Sequence, residues 1–75
     1  MVREADREKF VELAEKRVQR ALKDIKLIGN LSNRSNYKYS DDDVKKIIKA
    51  LRNAVEDVKG RFERDGVEEE VVFKL

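Results

Sequence analysis

Gly29-Asn30-Leu31-Ser32-Asn33-Arg34-Ser35-Asn36-Tyr37-Lys38-Tyr39-Ser40 is the one long interruption between two strongly helical segments of a 75-residue chain. Its asparagines and serines are turn formers, because their short polar side chains bond to their own backbone. Gly29 is the residue type that takes the left-handed conformation closing many helices, and we read it as the stop of the first segment. Ser40 is a favoured N-cap. Asp43, three residues on, makes a capping box with aspartate where glutamate is usual. The stretch therefore separates a helix over about residues 3–28 from a second over about 41–64, with the loop at 29–40.

On the N-terminal side, Phe10, Ala14, Val18, Ala21, Ile25 and Ile28 recur at steps of four, four, three, four and three, which is helical periodicity. Val11, Leu13, Leu22 and Leu27 widen that face beyond a narrow seam, so the helix needs more than one neighbour. Its charges are graded. Glu4, Asp6, Glu8, Glu12 and Glu15 fall in the first half, and Lys16, Arg17, Arg20, Lys23 and Lys26 in the second, the order the helix macrodipole favours.

On the C-terminal side, Asp41, Asp42 and Asp43 occupy the first helical turn, where orphan backbone donors stabilise carboxylates. Val44, Ile48, Leu51, Val55, Val58 and Phe62 then step by four, three, four, three and four, a heptad pattern with Ile47 and Ala54 along one edge. Asp65-Gly66 ends the segment, and Gly60 inside it weakens the last turn or permits close packing. In the tail from Val67, the residues Val71, Phe73 and Leu75 alternate with Val72 and Lys74, a period-two, strand-like pattern. We read it as an extended arm over the open end of a bundle.

At 75 residues the chain is a single domain at most. A core of that size supplies only about 3–5 kcal/mol without a staple. There is no cysteine or histidine to form a disulfide or a zinc site. An antiparallel hairpin leaves part of each apolar face wet, so the expected architecture is all-α, with two hairpins paired as a homodimeric four-helix bundle. Phe10, Val18, Ile25, Ile28, Val44, Ile48, Leu51, Val55, Val58 and Phe62 are its expected core and dimer residues. The make-up, 45% charged with no proline, fits a salt-bridge-laced helical protein and a heat-adapted source. No apolar run approaches the roughly 18 residues of a membrane span, and the expected location is the cytoplasm, with no membrane partner.

The absences narrow the chemistry. Without histidine or cysteine, the commonest general base, the commonest nucleophile and the soft metal ligands are missing. The three glycines stand singly, so no phosphate loop is formed. Adjacent aspartates on a helix point about 100° apart and do not converge on a cation. We expect no enzyme, no cofactor and no metal site.

Charge placement is more telling. From Lys16 to Arg52 there are eleven basic residues and four acidic ones, +7, which leaves −5 for the remainder and recovers the net +2. In a hairpin these gather at the loop end. Lys16, Arg20 and Lys23 share a stripe on the first helix, as do Lys45, Lys49 and Arg52 on the second, with Arg34, Tyr37, Lys38 and Tyr39 between them. Basic groups interleaved with aromatics suit phosphate backbones and stacked bases. Equally, outward lysines are ordinary solvated surface, tyrosines can cover the end of a core, and the triple aspartate opposes an anion at the second helix's start. The two readings, a protein-binding adaptor or inhibitor and a nucleic-acid-binding protein, stay side by side.

The run Arg20 to Tyr37, followed by Tyr39, Ser40 and Asp43-Val44, resembles a family of small bacterial and archaeal helical proteins of unknown function, some associated with plasmids and phages. There an Ile-Gly-Asn-Leu-Ser/Ala-Asn-x-Ser/Thr-Asn-Tyr segment joins two amphipathic helices. The resemblance covers the central half of the chain and implies the helix pair. It brings no activity or catalytic residue. A mobile-element setting would favour regulators or inhibitors that act by binding. The tail from Val67 is not part of the pattern.

Overall fold

A computed structural model of the chain describes residues 4–65, which are all-α. The elements in order are α1 (Glu4–Gly29), a short 3-10 turn (Asn30–Ser32) and α2 (Asp41–Glu63). The expected tail over Val67–Leu75 lies outside the described residues. The chain divides into two units, Met1–Lys38 and Tyr39–Leu75.

In the first unit, α1 opens with Glu4 and Asp6 in its first turn and closes with Lys26 in its last, so its ends complement the dipole. Lys16 Nζ lies 3.0 Å from Glu12 Oε1 across one helical turn. With both side chains largely in water, this pair adds only a few tenths of a kcal/mol.

Gly29 does not act as the left-handed stop. Its φ of −60° and ψ of −29° are right-handed helical values, and α1 runs through it into the 3-10 turn. A side chain there would meet nothing within 4 Å, so nothing around Gly29 forces the chain to turn. The helical path ends four residues later, at Asn33, where φ is −71° and ψ is 100°. The carbonyl of Asn33 accepts hydrogen bonds from the N–H groups of Asn36 (3.1 Å) and Tyr37 (3.0 Å). Its Oδ1 accepts a third from the Ser35 N–H at 3.0 Å. One asparagine thus organises the turn through both its backbone and its side chain.

In the second unit the expected capping box is present. The Asp43 N–H donates to Ser40 Oγ at 3.1 Å, and the Ser40 N–H donates to Asp43 Oδ2 at 2.9 Å. Asp41, Asp42 and Asp43 fill the first turn. Gly60 does not interrupt α2, and the Arg64 guanidinium lies over it, 3.0 Å from where a Cβ would stand. The helix closes with the Arg64 N–H donating to the Gly60 carbonyl and the Asp65 N–H to the Phe62 carbonyl, each at 3.1 Å. Asp65 takes the left-handed conformation, with φ of 53°. It fills the place usually held by glycine, tolerable for its short polar side chain.

None of the described residues is fully buried. Of the ten expected core and dimer residues, Ile28 and Leu51 are half-buried, and the other eight are between 40% and 65% exposed. The periodic apolar rows are therefore present on both helices without cover in the single chain.

Candidate nucleic-acid or protein interface

Five of the nine expected surface residues fall in the first unit. Arg20 and Lys23, three residues apart on α1, are exposed and lie on one side of the helix. Arg34 sits inside the turn built on Asn33, and Tyr37 at its end, anchored through its backbone N–H, is 49% exposed. Lys38 is exposed beside it. A turn closed by three hydrogen bonds to one residue presents these side chains from a preorganised backbone, which lowers the ordering cost of binding.

Tyr39, Lys45, Lys49 and Arg52 fall in the second unit. Tyr39 is half-buried, unlike Tyr37. Lys45, Lys49 and Arg52 do come together, lining a shallow groove along α2 with Val44, Ile48 and Asn53. Its lining is mostly apolar, with three cations among the residues that form it. Val44 and Ile48, expected in the core, thus lie beside the three expected surface cations, and Asn53, expected in neither set, joins them. The spacing carries the signal: residues 44, 48 and 52 share one helical row, and 45, 49 and 53 the adjacent one.

At the start of α2, Asp43 has its carboxyl held below the ordinary value of 3.8 by the Ser40 backbone N–H and then by the Ser40 hydroxyl. This carboxylate is committed to capping and fills the anion position at the helix N-terminus with a group of the chain's own. Among the described residues no cluster of three or more acidic, histidine or cysteine side chains is placed to hold a metal ion. No described helix is long and apolar enough to cross a membrane.

Compared with family models, with curated proteins and with solved structures, the chain finds no match in any of the three.

Proposed function

We propose that the protein is a small homodimeric helical module that acts by binding. The helices fold back as an antiparallel hairpin, two hairpins pair into a four-helix bundle, and the loop end contacts a protein partner. The observation that carries this reading is the exposure of both apolar rows. Helices of 26 and 23 residues are about 39 and 35 Å long at 1.5 Å per residue. Helices in water draw most of their stability from covering such a face. A half-exposed Val, Ile or Phe gains about 1 kcal/mol when it is covered, and with no disulfide available association with like helices is the remaining source of stability.

Arg34, Tyr37 and Lys38 on the ordered turn form the contact proposed for a protein partner, since exposed tyrosine and arginine on a rigid backbone supply most of the energy in such interfaces. The resemblance of the loop to proteins of mobile elements is consistent with an adaptor or inhibitor. A second reading, nucleic-acid binding, is favoured by the α2 groove, where three cations are among the lining residues.

Light scattering combined with titration of fluorescently labelled single- and double-stranded oligonucleotides, at about 50 and about 200 mM salt, separates these readings. A dimer that ignores nucleic acid at both salts supports the protein-contact reading. Low-salt binding lost at high salt and abolished by Arg34→Ala with Lys38→Ala replaces it with the second. A monomeric chain overturns the bundle.

A further inference from the structure

We infer that the groove along the first half of α2 is a docking site for an acidic amphipathic helix of a protein partner. This rests on the reading of the chain as a protein-binding module and deepens it by naming the partner's chemistry. It concerns α2 by itself. Val44 and Ile48, each 40% exposed, border the groove on the side of the apolar row, and Lys45, Lys49 and Arg52 supply its charge. The groove lies to one side of that row, so a bundle formed on the row's other side leaves it open.

Sign and length identify the occupant. From Val44 to Val55 the chain reads Val-Lys-Lys-Ile-Ile-Lys-Ala-Leu-Arg-Asn-Ala-Val, with four cations and no carboxylate. The sign reverses on either side, at Asp41, Asp42 and Asp43 before it and at Glu56 and Asp57 after it. The positive stretch is therefore bounded, and its twelve residues span about 18 Å of helix. A partner helix of about three turns matches that length. Its apolar side chains lie on Val44 and Ile48 and its carboxylates beside the cations, which is helix-in-groove binding with complementary charge. A longer acidic segment meets the aspartates at one end or Glu56 at the other, and is opposed by like charge.

Other occupants fit less well. A second copy of α2 brings the same cations to the groove. A nucleic-acid backbone leaves Val44 and Ile48 in water, and none of the lining residues is an aromatic on which a base stacks. An anionic lipid surface meets α2 as a whole, where six basic side chains are balanced by six acidic ones, so charge does not draw the helix to it. A short segment seated between the acidic borders meets only the cations.

The probe is a fluorescein-labelled, end-capped peptide of twelve residues, with leucine at every third or fourth position, three glutamates along one flank, and alanine and glutamine elsewhere. A second peptide carries lysine in place of each glutamate. Fluorescence anisotropy with the full chain, at about 50 and about 200 mM salt, is expected to show the glutamate peptide bound at least about tenfold more tightly, with its Kd rising at the higher salt. Lys49→Glu with Arg52→Glu is expected to raise that Kd at least about tenfold, and Lys49→Gln with Arg52→Gln at least about threefold. The glutamine pair guards against loss of folding, since glutamine is as strong a helix former as the residues it replaces. Lys46→Glu, exposed on the same stretch but outside the groove lining, is expected to leave the Kd within about twofold.

Equal binding of the two peptides, or equal weakening by Lys46→Glu, overturns the inference. Anionic phospholipid vesicles held more tightly than the glutamate peptide, and less so by the groove variants, overturn the choice of occupant. Binding lost in Arg34→Ala with Lys38→Ala but kept in the groove variants overturns the groove and leaves the protein-contact reading standing. Salt-sensitive binding of an oligonucleotide with indifference to both peptides overturns that reading as well, so the two failures are distinguishable.

Discussion

The start of α2 and the end of α1 bracket the same loop and are held by different means. At Ser40 two reciprocal hydrogen bonds with Asp43 satisfy donors that the helix geometry leaves open. At Gly29 no side chain acts at all, and the backbone passes through in a right-handed conformation before stopping at Asn33. A helix start is set by a side chain reaching a few ångströms to a backbone N–H within the same turn. A glycine permits a stop without imposing one, because its backbone is nearly indifferent between the two hands.

Four substitutions or conditions break or sharpen this contrast. The largest effect is expected from Gly29→Pro. Residue 29 lies within the helix, with φ of −60°, so proline there removes its hydrogen bond and clashes with the preceding turn, costing about 3 kcal/mol. Thermal melting followed by circular dichroism reads the difference. Next comes Ser40→Ala, which removes one half of the capping box and is expected to cost about 1 kcal/mol, with faster hydrogen exchange in the first turn of α2 and none of that change in α1.

Gly29→Ala is expected to act in the opposite direction, stabilising by about 0.5–1 kcal/mol, since the conformation is helical and the space beside it is open. A destabilising result would show that residue 29 needs a positive φ after all. The smallest effect is that of pH. The carboxyl of Asp43 is held below its ordinary value of 3.8 in the folded chain, so its contribution is present above that value and disappears as the pH falls through the lower folded value. Helicity at the start of α2 should drop in that acid range, and Asp43→Asn should abolish the drop. Titration of the first-turn amide signals by NMR measures both.

Most of the helical architecture was legible in the residues. The boundaries read as 3–28 and 41–64 are observed as Glu4–Gly29 and Asp41–Glu63, because apolar periodicity and a Ser-x-x-Asp cap are local signals that survive without knowledge of distant contacts. The surface was legible only in part. Lys45, Lys49 and Arg52 do line one groove, together with Val44 and Ile48 of the apolar row, because adjacent helical rows share an edge. The two tyrosines looked alike in sequence and differ in exposure, Tyr37 at the end of the Asn33 turn and Tyr39 just before the cap.

By itself the sequence determined two helices, the capped start of the second, and the apolar and charged rows along each, all consequences of a 3.6-residue repeat and of hydrogen bonds that span three or four positions. The three-dimensional structure alone decided that α1 passes through Gly29, that Asn33 makes the turn with its carbonyl and side chain together, and that Asp65 takes the left-handed position. The physical reason is that each of these is a choice between backbone conformations close in energy, settled by which carbonyl a given N–H finds within about 3 Å.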